Sequence, residues 1–297
     1  MKSLIIANGM FRSGSTFFHS ILKKENFVSF YEPMHPQLEV LSKQVHSKEL
    51  NHGSCNDPWE SYNILESNKQ IYSYSKYLPY YYKNRMGSHM PTRLNSKITN
   101  LFKSLHLINQ SHEKIVCGCF NRAAFVLPDI VNTKIIPNII LVHTTRPSLQ
   151  IAMSLAKLYQ KNVPNFNILA PCQADHWGMS NLFNSIYFGN MHKVGRGIVN
   201  IENISFLTKI CFICTVVNSY MKSLNPICTL DISKPPSHYL SDLETFFKTV
   251  ESIYSIKLER ISCNEYRQSS LPSLISHKVL SNEELDLLES VGFSEFK

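Results

Sequence analysis

The apolar run Leu4-Ile5-Ile6-Ala7 passes through Gly9-Met10-Phe11-Arg12-Ser13-Gly14-Ser15-Thr16 into Phe17-Phe18-His19-Ser20-Ile21-Leu22. A short, wholly apolar run suits a strand buried on both faces, and the segment after Gly14 has the spacing of a helix start. A strand that feeds a helix through a glycine-bounded turn makes backbone N–H groups converge on one point, where the helix dipole adds partial positive charge. These elements commit the chain to an α/β fold with an anion cradle at the carboxyl end of its first strand. The spacing is that of G-x-x-x-x-G-K-[ST], the loop that holds nucleotide triphosphates, but Ser15 stands where the lysine belongs. The nearest cation is Arg12, two residues before Gly14. A loop that keeps its amides and moves its cation points to a phosphorylated ligand other than Mg-ATP.

The alternation of strand and helix continues. Further strands are expected at 27–31, 114–120, 139–143 and 226–232, after a first at 3–8. Helices are expected from 13–15 to 24 and over 37–47, 95–108, 122–132, 148–160, 172–188, 206–223 and 239–254. The helix over 239–254 would carry Asp242 and Glu244 in its first turn, and Ser281-Asn282-Glu283-Glu284 reads as a capping box opening a last helix that stops before Gly292. Such alternation implies a P-loop-containing α/β fold: a mostly parallel sheet, flanked by helices on both faces, with ligands outside the carboxyl ends of the strands. No repeat and no linker rich in Gly, Pro or Ser divides the chain. One domain spanning 1–297 is expected, with a helical or irregular insertion near 36–110.

A formal net charge of +8 favours an anionic ligand without choosing one. The basic residues are scattered and no nucleic-acid motif is visible, so nucleic acid is not an expected partner. Cys55, Cys117, Cys119, Cys172, Cys211, Cys214, Cys228 and Cys263 sit mostly in apolar runs. Cys211 and Cys214 make a C-x-x-C without a second pair at metal spacing, so they read as buried thiols and no metal site is expected. Free thiols suit the reducing cytoplasm. No apolar run approaches the roughly 18 residues of a spanning helix, and the short apolar start is no secretory h-region, so a cytoplasmic protein without a membrane span is expected.

A second cationic cluster follows the strand at 139–143. Arg146 comes first, Pro147 suits a helix entry, and Ser154 lies eight residues beyond the arginine. About 12 Å of helical rise separates the ends of that segment, so both groups meet one anion only if the chain after Arg146 bends back. Two cationic sites facing one crevice suggest a ligand phosphorylated at two places.

The string Arg12-Ser13-Gly14-Ser15-Thr16-Phe17-Phe18, with Phe27-Val28-Ser29-Phe30-Tyr31-Glu32-Pro33-Met34-His35 after it, resembles the opening of the carbohydrate 6-O-sulfotransferases that act on galactose or N-acetylglucosamine residues. Those enzymes begin R-S-G-[ST]-[ST]-F and reach a strand ending in F-E-P. Their second signature, R-[DP]-P with a serine eight residues after the arginine, is similar to Arg146 and Ser154. Order and spacing agree over roughly 1–35 and 114–160. The chain departs from the pattern where Pro147 follows Arg146 directly, where Cys119 replaces a basic residue with Arg122 close by, and where a late acidic tract is reduced to Leu230-Asp231-Ile232.

The resemblance implies that Arg12, Ser13, Gly14, Ser15 and Thr16 bind the 5′-phosphosulfate of 3′-phosphoadenosine 5′-phosphosulfate (PAPS), while Arg146 and Ser154 bind its 3′-phosphate. PAPS would be a co-substrate and no metal would be required. Arg267 and Ser269, in Arg267-Gln268-Ser269-Ser270, are similar to the polar loop that closes over the donor. Transfer of the sulfuryl group to a carbohydrate or glycolipid hydroxyl needs a base. Glu32 is the candidate, since Pro33 stops the strand there, and it can alternatively pair with Arg12 or cap a helix. His35 is the rival base. The tyrosines at 72–82 suit sugar stacking or plain packing, and Lys193 to Gly197 reads as a loop. Two other readings stay open. A P-loop kinase needs a lysine next to Thr16 and a metal-binding aspartate at a strand end, where this chain has Ser15 and His143. A non-catalytic member of the fold would bind nucleotide or glycan without turnover.

Overall fold

The computed structural model describes residues 2–10, 12–22, 26–34, 94–161, 163, 165–171, 179–194, 201–258 and 280–296. Strands β1 (Leu4–Gly9), β2 (Phe27–Tyr31), β3 (Ile115–Phe120), β4 (Ile139–Thr145) and β5 (Cys228–Asp231) form one sheet in the order β2-β3-β1-β4-β5. Every pairing is parallel. All six residues of central β1 are buried, which is why Leu4-Ile5-Ile6-Ala7 is apolar without alternation.

Helices α1 (Ser15–Leu22), α2 (Ser96–Ser111), α3 (Leu127–Asn132), α4 (Ser148–Gln160), α5 (Met179–Val194), α6 (Phe206–Ser223), α7 (Pro236–Tyr254) and α8 (Asn282–Ser290) surround the sheet. Neighbouring residues of β3 show that both faces are covered. Cys119 meets Ser29, which bonds His19 of α1, whereas Phe120 on the opposite face stacks on Phe102 of α2 at 5.1 Å. Helix α7 joins the α1 face through Phe246 against Phe18. Helix α6 joins the other face, where Asn218 bonds His143 of β4. Among the described residues no helix is long and apolar enough to cross a membrane.

The chain leaves β1 toward β2 on one side and leaves β4 toward β5 on the other. Connections that diverge from adjacent strands open a crevice between their carboxyl ends, and β1 and β4 are those neighbours.

Several boundaries differ from the sequence expectation for local reasons. β4 runs on to Thr145 because Thr144 and Thr145 pair with Leu230 and Asp231. The helix expected over 122–132 forms only from Leu127, because Pro128 has no N–H to give an interior helix bond and fits only in a first turn. Helix α7 begins at Pro236, so Asp242 and Glu244 lie beyond its first turn. Helix α5 extends through Lys193 to Val194, where a loop is expected, while 195–197 lie outside the described residues. The last helix opens with the expected capping box between Ser281 and Glu284 and stops before Gly292, whose φ is +81°.

Helix α4 carries Ser154 and has Pro147 at its N-cap, which supplies no side-chain oxygen. Glu295 fills that role from far along the chain, accepting from Ser148 N at 2.5 Å and Leu149 N at 2.9 Å. Its charge suits the positive end of the helix. Glu295→Ala is expected to lower unfolding free energy by about 1 kcal/mol, the usual scale for a lost cap, measured by urea denaturation.

Candidate functional site

The turn after β1 is pressed against β4. A Cβ on Gly9 would lie 2.0 Å from the Thr144 carbonyl oxygen and 2.3 Å from Ser13 Oγ, so no larger residue fits. Within the turn, Ser13 N–H donates to Met10 O at 3.0 Å, and Gly14 takes φ +105°, a conformation that disfavours side chains. Ile232, just after β5, packs where a Cβ of Gly14 would stand. Arg12 adopts φ 67°, the left-handed region that costs a non-glycine residue about 1 kcal/mol or more.

Side chains tie the turn to both neighbouring regions of the sheet. Ser13 Oγ and Thr144 Oγ1 share a hydrogen bond of 3.1 Å, reaching β4. Thr16 Oγ1 and Tyr31 Oη share one of 2.8 Å, reaching β2. Ser15 is buried at the start of α1.

The two cationic clusters meet in the crevice. Arg12, whose side chain is exposed, donates from Nε to Ser154 Oγ at 3.0 Å. Arg146 donates from Nε to Gln150 Oε1 at 2.9 Å, one turn into α4. The chain after Arg146 therefore does not fold over to Ser154; Arg12 spans the gap instead. Burial lowers the pKa of Arg146, the positive charge of Arg12 lowers it further, and Asp231 opposes both. Asp231 is itself occupied, since its Oδ1 accepts from Ser233 Oγ at 2.6 Å. Two guanidinium groups close enough to repel make this mouth electropositive, a place where an anion lowers the energy.

Glu32 follows β2 with φ 51°, and its N–H donates to Cys119 O at 2.7 Å. The carboxylate is buried and pairs with Arg122, the buried arginine just past β3, rather than with Arg12. Burial raises the pKa of Glu32 to about 7 even though Arg122 pulls it down. Oε2 takes the arginine, the Asn121 backbone N–H also favours the carboxylate, and Oε1 is fully enclosed. A carboxyl poised near neutrality can exchange a proton near pH 7.

A polar layer lies beneath α1. His19 Nδ1 bonds Ser29 Oγ at 2.7 Å, Ser29 Oγ reaches Cys119 Sγ at 3.4 Å, and Cys117 Sγ lies 3.9 Å beyond. On the α6 face, burial pushes His143 down to about 4, so it is neutral near pH 7, and its Nε2 engages Asn218 Oδ1 at 3.1 Å. Cys211 and Cys214 are buried, free thiols within α6. No group of three metal-binding side chains occurs among the described residues.

Of the residues singled out from sequence, Arg12, Ser13, Gly14, Ser15, Thr16, Arg146 and Ser154 assemble around the β1–β4 mouth, and Glu32 stands at the carboxyl end of β2. His35, Arg267, Ser269 and the tyrosines at 72–82 lie outside the described residues. Sequence reasoning missed Thr144, Gln150 and Tyr31 and did not pair Arg122 with Glu32. Tyr31 carried a usable signal: Ser29 and Tyr31 alternate onto one strand face, and Thr16 and His19 share one helix face. Comparison with family models, with curated proteins and with solved structures yields no match.

The fit of Gly9 is directly testable. Gly9→Ala is expected to destabilise the protein by about 3 kcal/mol, because the added carbon meets backbone as well as side chain. Gly292→Ala, with open space around its Cβ, is expected to cost about 1 kcal/mol, from its positive φ alone. Chemical denaturation of both variants makes the comparison.

Proposed function

We propose that this chain is a PAPS-dependent sulfotransferase, acting on a hydroxyl of a carbohydrate or glycoconjugate, and that the turn after β1 serves as its phosphate loop. The observation that carries this reading is the Arg12–Ser154 hydrogen bond. It supports one crevice for both anion grips, one from each strand beside the switch point, as a doubly phosphorylated nucleotide requires. A P-loop kinase reading is disfavoured by Ser15 in the lysine position and by Thr145 at the end of β4, where a metal-binding aspartate belongs. The buried free thiols support a reducing compartment such as the cytoplasm.

In this mechanism the turn amides and Arg12 hold the 5′-phosphosulfate, and Arg146 with Ser154 holds the 3′-phosphate. The acceptor oxygen attacks sulfur in line with the bond to the 5′-phosphate oxygen. As the new S–O bond forms, the acceptor proton passes to Glu32 Oε1 and the old S–O bond breaks. Its electron pair goes to the phosphate oxygen, where Arg12 and the amides stabilise the growing charge. Adenosine 3′,5′-bisphosphate leaves, together with the sulfated acceptor.

A thermal-shift comparison tests the donor site. Adenosine 3′,5′-bisphosphate is expected to raise the melting temperature while ATP with Mg²⁺ does not; the reverse preference would sink the donor assignment. With labelled PAPS and a glycan panel, Arg12→Ala is expected to lower turnover about 100-fold, on the scale of a lost transition-state donor. Arg146→Ala is expected to raise the donor KM about tenfold with a smaller effect on kcat.

The pH dependence follows from Glu32. Its carboxyl is raised to about 7, so it is protonated and inactive as a base below that pH. Turnover is expected to climb as pH rises through about 7 and then level off, and Glu32→Gln to remove most turnover while sparing donor affinity. A Glu32→Gln enzyme with full activity and an unchanged pH profile would eliminate Glu32 as the base.

A further inference from the structure

The phenol of Tyr31 has no part in the mechanism above, yet it lies directly behind the turn. Its Oη is 2.8 Å from Thr16 Oγ1, and Ser15 is also within its hydrogen-bonding reach. The side chain is held from several directions. Tyr31 is paired in β2 opposite Cys119, its ring sits 5.3 Å from the His19 ring, and it is buried. The remaining hydroxyl of the turn, on Ser13, is engaged by Thr144 on the other side.

A threonine hydroxyl has one proton to give. If Thr16 donates to Tyr31, only lone pairs remain to face the mouth of the turn, and they repel an anionic oxygen. If Tyr31 donates to Thr16, the threonine proton is free for that oxygen, and the relayed bond is strengthened by polarisation. The direction of a single hydrogen bond thus decides whether this hydroxyl attracts or repels the ligand.

We propose that Tyr31 is a positioning residue, donating to Thr16 Oγ1 so that Thr16 donates to a phosphate or sulfuryl oxygen in the turn. Burial, with the negative charge of Glu32 next in effect, pushes the phenol up to about 12, so it keeps the proton this role requires at any working pH. The inference rests on the reading of the turn as an anion cradle and deepens it. Tyr31 touches no reacting atom; it acts through Thr16.

The test is a double-mutant cycle of Tyr31→Phe and Thr16→Val, read by calorimetric titration with adenosine 3′,5′-bisphosphate and, separately, with inorganic pyrophosphate. Tyr31→Phe keeps the ring against His19 and removes only the oxygen. It is expected to weaken binding about five- to tenfold, with little change in melting temperature. In the Thr16→Val background the same change is expected to cost less than about twofold, because its target is gone. Thr16→Ser restores the hydroxyl and is expected to restore the full sensitivity to Tyr31→Phe. Unchanged binding in Tyr31→Phe, or an equal loss with and without the Thr16 hydroxyl, overturns the assignment. Pyrophosphate binding that follows the cycle without any bisphosphate binding overturns the nucleotide reading alone and leaves Tyr31 in its role. Failure of the wild-type protein to bind either probe overturns both.

Discussion

The close approach of the first turn to the fourth strand governs the crevice. A glycine with no room for a side chain lets backbone touch backbone at Gly9 and Thr144, and the Ser13–Thr144 bond locks that contact. Everything chemical at the mouth is downstream of it. Arg12 can reach Ser154 only because the turn has been brought alongside the strand that feeds α4. The left-handed backbone at Arg12 is strain of the kind that survives only where surrounding contacts over-determine it.

The charges follow an uneven plan. Toward β4 and β5, two arginines share a partly solvated mouth and Asp231 compensates them in part, leaving net attraction for an anion. Toward β2 and β3, one carboxylate and one arginine are paired and buried. A buried pair is poor as a source of stability, because desolvation of both ions offsets most of their attraction. What such burial does accomplish is to hold the Glu32 proton near the edge of release. The sheet therefore keeps its two neighbouring arginines and its titrating carboxyl on separate strand ends.

Much of the fold could be read from local pattern. The apolar runs of β1 and β4, the five-residue span of β2 and the Ser281–Glu284 capping box are each specified by residues next to one another, and each lies where it was expected. Less legible was anything set by pairing. β4 is longer than its apolar run because Thr144 and Thr145 find partners on β5. At the site, the glycine turn and its cations stood out because anion cradles need them at fixed spacing. The Glu32–Arg122 pair did not, since it joins strands that neighbour each other only once the sheet order is known. Arg12 was the nearer partner in sequence and the wrong one.

Glu295 closes a contact 147 residues from the amide it caps. On a ribosome the glycine turn emerges before α4, whose first amides are then open to water. Residue 295 arrives only 147 residues after the amide that it caps. Until then the helix that carries Ser154 lacks its cap, so the crevice matures only after residue 295 is made, however soon its arginines appear.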